Sequence, residues 1–344
     1  MGQGSQIKRV VVLLNLGGPT SMAEVGPFLF SLFYDKAIIN FPNPFRWALA
    51  KLISSRRLQE ASHIYESLGG KSPLYEETLK QRDALSQLLD PETQVFVAMR
   101  HAFPRTEVVF EEVRKLNPQE VILLPLYPQY STTTTGSALE MWRALEEKFN
   151  WHPQTRAVCC YPTLSGFIDP IVSKIQEIYA EAERHGKPYL ILSAHGLPEK
   201  VIKAGDPYQM QVEKTAQAIV EKLNISDLDW IVSYQSRVGP LPWIKPYTEE
   251  VLKAAARAKK PIIMVPIAFV SEHSETLYEL DQMYGQLAET EGAPGYYRVP
   301  TVSTDSSFIQ GLYDLMSGNT PIFSCPQTFQ KCGQKECPPF CKRS

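Results

Sequence analysis

The residues able to do chemistry are few and unevenly placed. Of the six histidines, His63, His152 and His185 lie in polar or irregular surroundings and read as surface residues. His195 is different, because it ends an apolar, strand-like run and precedes Gly196-Leu197-Pro198. A histidine there is a poor core residue and well placed to face a ligand, although an imidazole that only caps the loop is the plainer alternative. His273 opens the segment 271–279, which also holds Glu272, Glu275 and Glu279. Helical spacing puts these carboxylates three or four residues apart along one side, which suits a proton or metal site as well as a solvated acidic first turn. A third segment, 234–243, carries Gln235, Arg237 and Trp243, types that suit a flat aromatic ligand bearing anionic groups. Four of the six cysteines, Cys325, Cys332, Cys337 and Cys341, crowd the C-terminal end. In a reducing compartment such thiols read as a metal or cluster site before they read as disulfides. Their spacings lack the paired C-x2-C knuckles of many structural zinc sites, which favours a 2Fe–2S cluster over zinc. Cys159 and Cys160 sit in an apolar run, where cysteines are more often buried and inert.

These side chains need a scaffold, and the scaffold is legible as alternation. Short apolar runs fall at 10–15, 94–99, 121–126, 156–161, 189–193, 230–234, 262–267 and, more weakly, 297–300. Between them lie stretches of helical period at 75–89, 107–116, 137–149, 168–184, 208–223 and 273–288. The runs are nearly continuous rather than alternating, as in strands buried on both faces of a parallel sheet, so the class is α/β and doubly wound. The pattern restarts near residue 155. Leu16-Gly17-Gly18-Pro19 is echoed by His195-Gly196-Leu197-Pro198, and the strand ending Leu124-Pro125-Leu126 is echoed by the one ending Val265-Pro266-Ile267. Two half-length α/β units related by duplication explain both echoes, with Leu16 and His195 at equivalent positions facing one crevice. The expected organisation is a first domain over 1–154 with a lip at 41–70, a second over 155–304, a closing helix at 305–319 and a cysteine-rich tail at 320–344.

Composition removes whole classes. The chain is 44% hydrophobic and 21% charged, ordinary globular usage, and its net charge is -2. No global basic field recruits nucleic acid. The longest apolar run is far short of the roughly 20 residues that span a bilayer, and no secretory or transit leader is visible, so the expected location is cytoplasmic. Residues 41–53 combine an apolar side with Arg46 and Lys51, and Arg56 and Arg57 follow; this reads as an interfacial segment or as an ordinary packing helix. No G-x-G-x-x-G, G-x-S-x-G or P-loop occurs.

The motifs LLNLGGPTS, SLGGKSPL, LYPQYSTTTTGS, LSAHGLPEKVIKAGDPY, YQSRVGPLPW and PIAFVSEHSETLYELD, taken together, resemble the ferrochelatases, collinearly from about residue 10 to about residue 315. The resemblance implies two Rossmann-like, chelatase-type domains with a porphyrin between them, and insertion of Fe(II) into protoporphyrin to form haem. Coproporphyrin as substrate, a cobalt-precorrin chelatase and a non-catalytic porphyrin carrier are the alternatives. By resemblance His195 is the active-site histidine and Glu275 its acidic partner, both able to meet the substrate iron. His273, Phe269, Gln235, Arg237, Trp243, Arg100 and Tyr130 are similar to pocket residues. Leu16 stands where many relatives carry Met or Tyr, and His101 where Tyr is common. Some members also carry a C-terminal cysteine extension that binds a 2Fe–2S cluster. The chemistry fits these types: a neutral imidazole near its usual pKa of about 6.5 can accept a pyrrole proton, and carboxylates can deliver iron or relay protons. The expected partners are therefore porphyrin and ferrous iron, with peripheral membrane contact, no nucleic acid, and homodimerisation left open.

Overall fold

The apolar runs become the strands of two parallel sheets, and burial of the central strands on both faces explains why they do not alternate. A computed structural model of the chain describes residues 6–318. The chain divides into two units, one holding the residues up to Cys160 and again from Leu312, the other Tyr161–Gly311.

In the first unit, β1 (Arg9–Asn15), β2 (Thr93–Met99), β3 (Glu120–Pro125) and β4 (Gln154–Ala157) pair in the order β2-β1-β3-β4. Helices α1 (Val25–Phe33), α2 (Phe45–Ser67), α3 (Leu74–Ser86), α4 (Thr106–Leu116) and α5 (Ser137–Phe149) connect them. Just before α5 the chain makes a π-turn over Thr132–Gly136, in which the Gly136 N–H donates to Ser131 O at 2.9 Å.

In the second unit, β5 (Tyr189–His195), β6 (Asp229–Gln235), β7 (Ile262–Pro266) and β8 (Tyr296–Arg298) pair as β6-β5-β7-β8, the same order again. Its helices are α6 (Ser165–Ala182), α7 (Glu199–Lys203), α8 (Tyr208–Leu223), α9 (Thr248–Arg257) and α10 (Tyr284–Thr290); α11 (Ser306–Ser317) straddles the division between the units. The sequence echoes fall in matching register. Leu14 pairs with Pro125 as Ser193 pairs with Pro266, and the next bonds, Leu126 N–H to Leu14 O and Ile267 N–H to Ser193 O, are both 2.9 Å. Leu16 and His195 therefore occupy equivalent places just past that pairing.

Glycine is required where each motif turns. Gly17 has φ +87°, and a Cβ there would meet Ala102 Cβ at 2.7 Å. At Gly196 a Cβ would meet Gln235 O at 2.9 Å and the Trp243 ring at 3.1 Å, so the bare backbone lets Trp243 close on the strand end beside His195.

Three local expectations shift. The run at 156–161 supplies only Ala157 and the preceding residues to β4; Val158 still donates to Leu123 O at 3.0 Å, but beyond it the chain leaves the ladder for the second unit while staying buried. The stretch expected as one helix over 273–288 is a π-helix over Glu275–Met283 followed by α10, because side-chain periodicity does not report which carbonyl each N–H chooses. Residues 41–53 lead into α2, a 23-residue helix whose polar residues lie on all sides and hide its period.

Candidate active site

His195 closes β5 and pairs in the ladder with Gln235, the last residue of β6. Strand ends of this kind are where open α/β sheets present ligand-facing side chains. Its Nδ1 lies 3.0 Å from Glu275 Oε2, and both side chains stay partly exposed, 34% and 28%. With Nδ1–H donating to the carboxylate, Nε2 carries the lone pair that accepts a proton. His273 Nε2 is 3.6 Å from the same carboxylate oxygen. Its Nδ1 is buried and makes no hydrogen bond among the described residues, while the Phe269 ring lies 4.6 Å from the imidazole.

Glu279 sits one π-turn beyond Glu275, on the same side. It accepts from Gln235 Nε2 at 3.1 Å, from the Ser236 N–H at 2.9 Å, from Ser236 Oγ, and from Tyr284 Oη at 3.2 Å. Ser236 reaches it twice because it adopts φ +63°, a left-handed conformation that costs a non-glycine residue on the order of 1–3 kcal/mol. Gln235 is itself fixed. Its Nε2 also donates to Glu275 O at 3.2 Å, and its Oε1 accepts from Ser193 Oγ at 2.7 Å, in contact with Thr248 and Ser233 behind it.

The two carboxyls are driven apart. Burial would raise the Glu275 carboxyl, but the charge and hydrogen bond of His195, joined by those of His273, hold it well below the usual carboxylate range. Burial raises Glu279, the neighbouring Glu275 charge adds to the rise, and the Ser236 hydrogen bond only partly opposes it. Titratable neighbours pushed in opposite directions mark an acid and an anionic partner. Glu272 does not join them. It accepts from Arg298 Nη1 at 2.6 Å and from the Thr301 N–H at 2.9 Å, while Arg298 also grips Asp281 with two bonds. Helical spacing alone had aligned it with the others; the irregular turn before the π-helix sends it the opposite way.

The remaining expected residues divide by unit. Trp243 is buried, donates Nε1–H to Val238 O at 3.0 Å, and lies edge-on 6.3 Å from His195. Arg237 is exposed and rests on the Tyr247 ring. Leu16, Arg100 and Tyr130 belong to the first unit. Leu16 is half-buried and Tyr130 buried, its hydroxyl occupying the space a Cβ at Gly136 would need. Arg100 is committed internally: Nη2 lies 2.9 Å from buried Asp35, and Nε donates to Ser137 Oγ at 2.8 Å. Ser137 in turn donates to Asp35, and Ala37 N–H donates to Asp35 Oδ1 at 2.9 Å. Asp35 was invisible in the sequence, where an isolated Asp after an apolar helix reads as a cap. Among the described residues no group of three or more His, Cys, Asp or Glu side chains is arranged to hold a metal ion. Cys325, Cys332, Cys337 and Cys341 lie outside the described residues.

Comparison with known proteins gives the family. The chain is 48% identical over 345 residues to the ferrochelatase of Pelagibacter ubique, covering 95% of this chain and 98% of that one. It is 47% identical over 344 residues to that of Rickettsia bellii, covering 94% and 95%. Among solved structures, SirB from Bacillus subtilis matches with a TM-score of 0.54 over 92% of this chain and 98% of its own, at 11% identity, a likeness of fold alone. The family model described as Ferrochelatase spans residues 8–320, from before the first strand to beyond the last described helix, and so includes every strand and both halves of the duplication; the chain belongs to the ferrochelatase family.

Proposed function

We propose that the protein is a lyase that inserts Fe(II) into protoporphyrin to give protohaem. The observation that carries this reading is the His195–Glu275 pair at the end of β5, in a chain of this family. Protoporphyrin surrenders two pyrrole N–H protons while its nitrogens take the iron, so one haem and two protons leave. His195 Nε2 accepts a pyrrole proton; Glu275, kept anionic, orients the ring through Nδ1 and stabilises the imidazolium that forms. Glu279, shifted towards its neutral form, sits one turn away as a carrier for the proton on its way out. A carboxylate at Glu275 also attracts the incoming iron. Trp243, Phe269, His273, Gln235 and Arg237, all of the second unit, are the substrate-binding set at this strand end; Leu16, Tyr130 and Arg100 are assigned to porphyrin contact on the family resemblance alone.

Purified protein given protoporphyrin with anaerobic Fe(II), or with Zn(II), is expected to convert the free-base spectrum to that of the metalloporphyrin. Turnover of coproporphyrin alone would reassign the substrate, and tight binding without turnover would make the protein a carrier.

Two finer features complete the reading. The tail cysteines are assigned to a 2Fe–2S cluster, on their sequence and on the family resemblance. Anaerobically purified protein should be reddish and lose its visible bands in Cys337→Ser; a colourless protein holding stoichiometric zinc would refute the cluster. Among the described residues no helix is long and apolar enough to cross a membrane. The start of α2 is assigned to the membrane surface, because Phe45 and Trp47 are 69% and 52% exposed beside Lys51, Arg56 and Arg57.

A further inference from the structure

Behind its strand ends the second unit carries a run of side-chain hydroxyls that the metallating step does not touch. Ser193 in β5, Ser233 in β6 and Thr248, the first residue of α9, are fully buried, and Gln235 is 2% exposed. Ser193 Oγ lies 2.7 Å from Gln235 Oε1 and 3.2 Å from Thr248 Oγ1, which is 2.9 Å from Ser233 Oγ. A serine or threonine hydroxyl has one proton to give, so the protons in this chain can be assigned. Gln235 Nε2 is 3.2 Å from the backbone oxygen of Glu275, which can only accept, so the amide nitrogen faces the π-helix and the amide oxygen faces Ser193. An amide oxygen cannot donate. Ser193 therefore spends its proton on Gln235, Thr248 donates to Ser193, and Ser233 donates to Thr248. All three hydroxyls are ordered in one direction, which ends at the amide.

That amide joins two elements of the site. The ladder sets Gln235 opposite His195. The two hydrogens of its Nε2 go to the Glu275 backbone oxygen at 3.2 Å and to Glu279 Oε2 at 3.1 Å, so the π-helix is tied to the strand that flanks the base. The contact that depends on this tie is the one between His195 Nδ1 and Glu275 Oε2, at 3.0 Å. Loss of the Ser193 hydroxyl leaves a buried amide oxygen unanswered. Rotating the amide relieves that only by turning its oxygen towards the oxygens of Glu275 and Glu279, which breaks the tie.

Resting on the reading of the protein as a porphyrin-metallating enzyme, we propose that Ser193 and Thr248, with Ser233 behind them, are positioning residues for the reaction: their ordered hydroxyls fix the Gln235 amide, and the amide holds Glu275 where it orients His195. The hydroxyls lie behind the strand ends and act wholly through Gln235. They set the rate of proton transfer and leave the affinity for porphyrin alone.

The test uses the full chain with Zn(II) and protoporphyrin. Ser193→Ala removes the link to the amide and is expected to lower kcat about fivefold to fiftyfold, with KM within about twofold. Thr248→Val, nearly isosteric, frees Ser193 to turn and should lower kcat about threefold to tenfold, again at constant KM. Thr248→Ser keeps the hydroxyl, and its kcat should stay within about twofold of wild type. Because the hydroxyls act in series, adding Thr248→Val to Ser193→Ala should lower kcat no further, whereas independent defects multiply. A Thr248→Ser variant as slow as Thr248→Val, multiplied losses in the double variant, or a lowered Tm with unchanged kcat overturns the positioning role while leaving the metallating reaction intact. A wild type that does not metallate protoporphyrin overturns the functional reading itself, and the positioning role with it.

Discussion

At the scale of single residues, neighbouring groups of the same type have opposite tasks. Glu275 and Glu272 are three residues apart, yet one meets His195 and the other Arg298. His195→Ala is expected to lower metal insertion about 10²–10⁴-fold, the usual contribution of a general base, while porphyrin binding followed by fluorescence quenching is kept. Near-normal turnover in that variant would remove His195 from proton transfer. Glu275→Gln keeps the shape but loses the anion that orients Nδ1, so turnover should fall sharply, out of proportion to any loss of Tm. Glu272→Gln should do the reverse. It weakens a part-buried contact to Arg298, costing about 1–3 kcal/mol of stability, and spares turnover. Thermal melts and initial rates on the two glutamines separate the roles, and matched losses in both variants would contradict the division.

Elements repeat where residues do not. The π-turn at Thr132–Gly136 follows β3 as the π-helix at Glu275–Met283 follows β7. With Pro125 and Pro266 in matching register, Thr134 stands where the other half has Glu275, and Leu16 where it has His195. The first half has the same backbone device with Thr134 and Leu16 in place of Glu275 and His195, so the device does not depend on those side chains. In the second copy this π-helix carries Glu275 and Glu279, four residues apart, towards Gln235. The lip segment carries a separate expectation. Residues 41–53 expose Phe41, Phe45 and Trp47 beside cations, so the protein should float with anionic liposomes at low salt and detach as salt rises. Flotation of neutral and anionic vesicles alike at all salt concentrations would contradict the electrostatic part, and no flotation at low salt would remove the segment's role.

For the whole molecule the internal charges set a pH dependence. His101 is buried beside Arg100, and desolvation, aided by that cation and only partly opposed by Asp35, pulls its imidazole down to about 3. The folded protein thus keeps His101 neutral where an unfolded chain, with an ordinary pKa of 6.5, takes up a proton. Between those values the unfolded state binds more protons, so stability falls as pH drops from 6.5 towards 3. Glu275, whose carboxyl is depressed when folded, adds a further loss only below its ordinary 4.5. His101→Tyr should flatten the first loss. Urea midpoints at about pH 7.5 and 5.5 are expected to differ more in wild type than in the variant, and an equal drop in both would place the acid sensitivity elsewhere.

The sequence by itself determined the strands and the duplication, and it singled out His195. Continuous β-branched runs are buried on both faces, a glycine-proline turn recurs at a fixed place in each half, and a histidine at a strand end has few other uses. It also singled out Gln235, Arg237 and Trp243 in the segment just past a strand, whereas only the family resemblance set Glu275 apart from Glu272 and Glu279. What it left undecided depends on contacts between distant segments. Asp35 reaches Arg100 and Ser137 across 65 and 102 residues, separations that no local spacing encodes. The choice of a π-helix is made by backbone bonds common to all residue types, and the irregular turn that precedes it sends Glu272 to Arg298, away from Glu275 and Glu279. Likewise Ser193 and Thr248 look like ordinary small polar residues until β5 and α9 bring their hydroxyls together behind Gln235. Periodicity records which face of an element is buried; only the tertiary structure decides which partner each buried polar group meets.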